Sequence, residues 1–191
     1  LLENACELQL SPAQTLYTRG EVAKGLYLVI AGSLKVVIPT IDGDEAILDV
    51  VGAGQWLGEL GVIDRQPRQH SAIALEPVQC VCFDKLLIER VLQANPALYQ
   101  GVALLLCERL RAMFVWGEES LLSSVRTQIV HRLRHIASGL GTPLEDGLLI
   151  RTRISQELLA AMLGVTRQTL NKELVGLKQA GVEPLIQFPL S

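Results

Sequence analysis

Asn95 to Leu122 is the stretch that most limits what this chain can fold into. Asn95 is a good N-cap, since its side-chain oxygen can take a free N–H of the first turn, and Pro96 suits the first helical position. No further proline interrupts the chain until Pro143. At 1.5 Å per residue such a helix runs about 40 Å. It carries two apolar stripes. Tyr99, Ala103, Leu106, Leu110, Met113 and Gly117 step by four and three, a heptad seam that asks for a partner helix. Leu98, Val102, Leu105, Ala112 and Trp116 form a second stripe, broken by Arg109. A helix apolar on two sides is covered on both. It is either a buried core helix or a dimerisation helix with its own domain on one side and a second chain on the other.

Before this helix the chain reads as short strands punctuated by glycine. Leu26–Ala31, Leu34–Pro39, Glu45–Val51, Ser71–Leu75 and Val78–Phe83 are rich in Val, Ile and Leu, and Ile41-Asp42-Gly43-Asp44 is a hairpin turn by its Asp-Gly. Many short strands at this spacing predict a sandwich or jelly-roll barrel. Asp84 to Gln93 reads as a short helix. After Leu122, Ser123-Ser124 can cap a helix through Val125, Ile129, Leu133 and Ile136, which Gly139, Gly141 and Pro143 end. Leu148–Arg153 reads as a strand. The expected fold is α+β in three parts: a barrel over residues 1–94, a long helix over 95–122 and a small α-rich domain over 123–191.

The net charge of −3 hides an asymmetry. Residues 1–122 hold 9 Lys and Arg against 15 Asp and Glu, a net of −6, and residues 123–191 hold 8 against 5, a net of +3. A basic back end suits a polyanion. The hydrophobic share of 49% is enough for real cores, yet the longest apolar run, Val102 to Cys107, is far too short to span a bilayer. The opening Leu-Leu-Glu-Asn-Ala-Cys-Glu has no basic segment and no initiator Met. It predicts a cytoplasmic chain without a signal peptide, beginning inside a longer product. Cys6, Cys80, Cys82 and Cys107 show no zinc spacing and are expected as buried free thiols rather than ligands or a disulfide.

A second capped helix pair lies near the C-terminus. Ser155 can cap a helix over Gln156–Leu163, Gly164 supplies a tight turn, and Thr166 caps a second helix over Arg167–Ala180, closed by Gly181. Ala160 is small enough to let the two helices cross, and Leu159, Leu163, Val165, Leu170, Leu174 and Leu177 face inward. This is helix-turn-helix spacing. Arg167, Gln168, Asn171 and Lys172 share one exposed face at the N-terminal end of the second helix. That end enters a major groove, where Arg can fork onto guanine and Gln onto adenine. The candidate DNA-binding residues are therefore Ser155, Thr166, Arg167, Gln168, Asn171 and Lys172.

Thr152 to Leu174, Thr-Arg-Ile-Ser-Gln-Glu-Leu-Leu-Ala-Ala-Met-Leu-Gly-Val-Thr-Arg-Gln-Thr-Leu-Asn-Lys-Glu-Leu, resembles the C-terminal domain of the Crp/Fnr family of bacterial transcription regulators. Arg19-Gly-Glu-Val-Ala-Lys-Gly-Leu-Tyr-Leu-Val-Ile-Ala-Gly-Ser-Leu-Lys-Val and Gly54-Gln-Trp-Leu-Gly-Glu-Leu-Gly resemble its cyclic-nucleotide-binding barrel, and Asn95-Pro96 the start of its dimerisation helix. The resemblance runs over about residues 6 to 182. It implies a homodimer on double-stranded DNA, with a two-fold-symmetric operator, an effector in the barrel, RNA polymerase as a further partner and no membrane. Gln168 stands where cyclic-AMP-responsive members have Glu, which implies a different operator. Glu173 occupies a position usually aliphatic, and Gly181 to Ser191 is short for the family's winged hairpin.

The resemblance also outlines an effector pocket: Gly58, Glu59, Arg68, His70, Ser71, Met113 and Phe114. Gly58, Glu59 and Ser71-Ala72 match the cassette, in which a Glu takes the ribose hydroxyl and an Arg the phosphate. His70 stands where that Arg should be. Arg68 lies two residues earlier, on the same side if the segment is extended. Met113-Phe114 replaces the hydroxyl pair that meets the base. These departures argue against a cyclic nucleotide. His70-Ser71 resembles the segment where carbon-monoxide-sensing members place a haem ligand, so the effector stays unassigned. The rival readings are a sensor module without DNA and a cupin-type metalloenzyme; the latter wants two or three His from neighbouring strands, whereas only His70 lies in the barrel. No catalytic residue or metal site is expected.

Overall fold

The computed structural model describes residues 5–180 apart from 42, 146, 151 and 153. The short wing expected after residue 180, Gly181 closing the last helix, Asp42 of the hairpin turn and Arg153 at the end of an expected strand all lie outside the described residues.

Two four-stranded antiparallel sheets face one another. One has the order β1 (Ala5–Leu10), β8 (Val78–Asp84), β3 (Gly25–Ala31), β6 (Trp56–Leu57). The other has β2 (Thr15–Tyr17), β7 (Ser71–Ala74), β4 (Ser33–Pro39), β5 (Glu45–Gly52). Alternation sends one set of side chains inward from each sheet. Tyr17, Tyr27, Val29, Leu34, Val36, Val51, Leu57, Ala72, Val78 and Cys80 are buried there as one core. A one-turn helix, α1 (Glu59–Ile63), follows β6. α2 (Lys85–Ala94) then leads to α3 (Ala97–Leu122), 26 residues long.

The expected cap of the long helix is corrected. Pro96 takes the cap position without a side-chain hydrogen bond. The Asn95 amide instead donates to the Val91 carbonyl at 3.3 Å, finishing α2. Asn95 serves the helix behind it because the two helices meet there with no free turn between them. The expected burial of all four thiols is also corrected: Cys80 is buried and Cys82 partly so, while Cys6 and Cys107 are exposed.

Ser123 is extended, so α3 and α4 (Val125–Leu140) meet at a break. Ser124 caps α4, its hydroxyl oxygen accepting from the Thr127 N–H at 3.3 Å. The strand read over Leu148–Arg153 is half of a hairpin, β9 (Gly141–Leu144) with β10 (Gly147–Ile150). α5 (Gln156–Leu163) and α6 (Arg167–Gln179) follow.

This small domain does not stand apart from the barrel. Val37, Ile47 and Val50 on the outer face of β4 and β5 share one apolar core with Ile129, Ile136, Leu159, Leu170 and Leu174. Alternation along β4 gives Val36 to the barrel core and Val37 to the shared one. The register shift opposite them, where Val36 pairs with Asp49 and Val37 with Ile47, lets Ile47 and Val50 face the same side. The near-continuous run Leu-Lys-Val-Val-Ile in β4 is the sequence mark of a strand covered on both faces. Around the seam, Arg132 donates to the Leu48 carbonyl at 3.3 Å and its guanidinium lies 5.3 Å from the Trp116 ring. His135 and Asp49 pair at 3.2 Å, and His131 pairs with Glu119.

Candidate functional site

Helix geometry at the C-terminal head follows from its caps. The Ser155 hydroxyl oxygen accepts from the Leu158 N–H at 3.0 Å, and that of Thr166 from the Thr169 N–H at 3.1 Å. Both hydroxyls hold helix starts, so their part at a nucleic acid would be to position the helices. Gly164 turns the chain with φ of 64°, in the left-handed region open to glycine. Ala160 is buried in the crossing, and Leu159, Leu170, Leu174 and Leu177 fix the angle between the helices. The outer face of α6 then presents Arg167, Gln168, Asn171 and Lys172 together, all exposed.

Arg167 meets Glu157 of α5 at 2.7 Å, with both side chains more than half exposed. A pair that open contributes about 0–1 kcal/mol, so a phosphate or a guanine edge can replace it. Glu173, unusual for its position, pairs with Arg126 of α4 at 2.9 Å. A side chain at Gly176 would come within 2.5 Å of the same guanidinium. Glu173 and Gly176 together seat Arg126, and the packing closes around an ion pair where an aliphatic side chain would otherwise stand.

The barrel pocket is built at the turn between β6 and α1. Gly58 has φ of 90°, and a Cβ there would lie 2.5 Å from Arg68 Nη1, so glycine is required twice over. Arg68 is buried. It donates from Nη1 to the Gly58 carbonyl and from Nη2 to the Gly25 carbonyl, each at 2.6 Å. Its guanidinium carbon stands 4.4 Å from the Tyr17 ring centroid and 5.5 Å from that of Tyr27, a stacked cation with its charge largely spent on protein groups. Glu59 is buried as well, and its Oε1 accepts from Arg109 Nη1 at 2.6 Å. Arg109 also donates to the Trp56 carbonyl. Glu59 Oε2 has no protein partner.

His70 Nε2 and the Tyr17 hydroxyl are 2.9 Å apart. Burial, helped by the Arg109 and Arg68 charges, pushes the imidazole down to about 4, so the ring is neutral at physiological pH. Burial likewise raises the Tyr17 phenol. What remains between Gly58, Glu59, Gly61, Arg68 and His70 is a cavity of about 10 Å³.

Gly58, Glu59, Arg68 and His70 thus come together as expected. Ser71 does not join them: its hydroxyl oxygen accepts from the Arg19 N–H at 3.0 Å and ties down the loop before β3. Met113 and Phe114 are 66% and 70% exposed, away from the cavity lining. Sequence reasoning missed Arg109, Tyr17 and Tyr27. The signal for Arg109 was present, since a charge breaking an apolar stripe on a helix needs a partner on the surface that stripe covers.

A two-sheet sensing barrel, joined by one long helix to a helix-turn-helix head whose reading face is open, defines a DNA-binding transcription regulator. Residues 7–95 match the cyclic nucleotide-binding domain, and residues 127–183 the Crp-like helix-turn-helix domain. The chain belongs to the Crp/Fnr family. It is 30% identical over 175 residues to the cAMP-activated global transcriptional regulator CRP of Haemophilus influenzae, covering 87% of this chain and 75% of that one. The CRP-like cAMP-activated global transcriptional regulator of Mycobacterium tuberculosis is 27% identical over 167 residues, with the same coverage of 87% and 75%. Among solved structures, the c-di-GMP-responsive global regulator CLP of Xanthomonas campestris shares the fold. The match has a TM-score of 0.74 at 19% identity and covers 97% of this chain and 92% of that one. Among the described residues no helix is long and apolar enough to cross a membrane.

Proposed function

We propose that the chain acts as a homodimer on a two-fold-symmetric operator, and that cyclic AMP is not its effector. The observation that carries the dimer is the state of α3, which has no buried residue along its length. Val102, Leu105, Leu106 and Arg109 are half-buried, Arg109 through its bonds to Glu59 and Trp56 of the chain's own barrel, whereas Tyr99, Leu110 and Met113 on the heptad seam are 49%, 51% and 66% exposed. A seam of 4,3-spaced apolar residues is self-complementary about a two-fold axis, so a second copy of α3 is its natural cover. Two recognition helices one helical turn apart follow from the same axis. Action on RNA polymerase in the cytoplasm is what the family resemblance suggests for such a dimer at a promoter.

Leu110→Glu tests this. It sets two carboxylates opposite each other at the seam, and sedimentation should show monomers that fail to protect the operator in footprinting. A dimer of unchanged strength would move the interface elsewhere.

The pocket supports the second part. The acidic residue that matches the ribose contact is already paired with Arg109, and Arg68 is committed to two carbonyls and two rings. A phosphodiester would find a neutral His70 and a cavity far below the roughly 300–1,000 Å³ of small-molecule sites. Haem does not fit these residues either, because the space is lacking and His70 Nε2 is already engaged by the Tyr17 hydroxyl. Glu59 Oε2 is a buried side-chain acceptor of the lining that has no partner among the described residues. It favours a small ligand that donates a hydrogen bond, and the c-di-GMP regulator of the same fold illustrates that effectors vary across it.

A further inference from the structure

The first strand places a thiol opposite a thiol. In the β1–β8 ladder Cys6 pairs with Cys82, Leu8 with Cys80 and Leu10 with Val78. Directly opposed residues in an antiparallel pair share a face, and for this ladder it is the barrel's inner one, since Leu10, Val78 and Cys80 are buried in the core. Their Cα atoms lie about 4.5–5.5 Å apart, inside the roughly 4.4–6.8 Å range of disulfides. We propose that Cys6 and Cys82 form a reversible cross-strand disulfide when the protein meets a hydroperoxide, making this rim of the barrel a redox-modified site.

The chemistry balances in two steps. The exposed Cys6 thiol reduces the peroxide, its sulfur taking one oxygen to give a sulfenic acid while the other oxygen leaves with the thiol proton, as water from hydrogen peroxide or as the alcohol from an organic hydroperoxide. The Cys82 sulfur then attacks the Cys6 sulfur, forming the S–S bond, and the sulfenic hydroxyl leaves as water with the Cys82 proton. Burial holds the Cys82 thiol above its ordinary range, so it acts as the slower resolving partner. Opposed Cβ atoms on a ladder are about 1 Å farther apart than a disulfide prefers, and Cys6 Sγ now faces the Glu7 carbonyl at 3.6 Å. Closing the bond therefore strains the end of β1, and strained disulfides are the readily reduced ones.

The pair is also wired to the pocket. Cys82 stands directly opposite Tyr27 in the β3–β8 ladder. The Tyr27 ring stacks on Tyr17 at 5.7 Å, and both rings flank Arg68. Oxidation removes the thiol proton and draws Cys82 toward β1, which shifts the aromatic shelf that holds Arg68 in place.

The test is peptide mapping of the full chain after titration with hydrogen peroxide, in the wild type and in Cys107→Ser, which removes the exposed helix thiol. The expected product is a peptide linking Cys6 to Cys82, lost on dithiothreitol treatment and absent from Cys6→Ser and Cys82→Ser. Tyrosine fluorescence should change on oxidation of Cys107→Ser and stay constant in Cys6→Ser. Links from Cys6 to Cys80, or only sulfinic and sulfonic acids at Cys6, would overturn the assignment. Should Cys82→Ser fold poorly, Cys6→Ser alone decides, because its position is exposed.

Discussion

The outer face of α6 and the barrel pocket are both polar and both charged, but they treat their charges in opposite ways. On α6 the side chains that could meet a ligand point into solvent, and the ion pair of that face, Arg167 with Glu157, is open to exchange. In the pocket Arg68, Arg109, Glu59 and His70 are turned onto carbonyls, rings and one another. The first face keeps its hydrogen-bonding capacity for a partner. The second uses most of its capacity to hold the barrel's own turn against the long helix. Matching a binding cassette by residue type therefore differs from having its donors free.

The sharpest way to break this contrast is to remove Arg109. Its loss leaves Glu59 buried without a counter-charge, and the cost should be about 2–3 kcal/mol of stability, discounted because Arg109 is itself about a third exposed. Chemical denaturation would measure it, and Glu59→Gln in the same chain should restore much of the loss. A cost near zero would mean the pair is not structural. Arg167→Ala should leave stability almost unchanged. It should weaken operator binding by about 1–3 kcal/mol and relax preference at one base position. Equal weakening on all sequences would reassign Arg167 to a phosphate.

A smaller effect separates the pocket from the head–barrel seam by pH. His70 is depressed to about 4 from an ordinary 6.5, so the stability its neutral ring contributes is present above about 6.5 and lost as pH falls toward 4. His135 is raised, chiefly by its hydrogen bond to Asp49. Its contribution is full below its ordinary value and lost as pH rises through the raised one. Melting curves across this range should decline at both ends. His70→Gln should flatten the acid limb and His135→Gln the alkaline one. The same limb responding to both substitutions would contradict the assignment.

Much of this was legible in the sequence because apolar runs bounded by glycine and side chains with capping chemistry act locally. The five strands read from Val, Ile and Leu runs are present, as are Ser155, Gly164 and Thr166 at the ends they were expected to fix. β1 was missed although Cys6, Leu8 and Leu10 alternate with Glu7 and Gln9, a period of two that a short strand displays faintly. Asn95 misled because capping chemistry serves whichever helix end is nearer. The pocket was legible only as an outline. Which charges pair there depends on α3 passing over β6, fifty residues away in the chain, and no local pattern carries that. The shared core between head and barrel was equally hidden, although β4's two-sided apolar run was its trace.

Calorimetric titration of the full chain with cyclic AMP, with operator affinity measured in parallel, tests the central claim most directly. With Arg68 and Arg109 committed to the protein, binding should be no tighter than about 1 mM, roughly −4 kcal/mol, and operator affinity should not change. Micromolar binding accompanied by tighter operator binding would contradict the account, for it would require Arg68 or Arg109 to leave its protein partners for the phosphate.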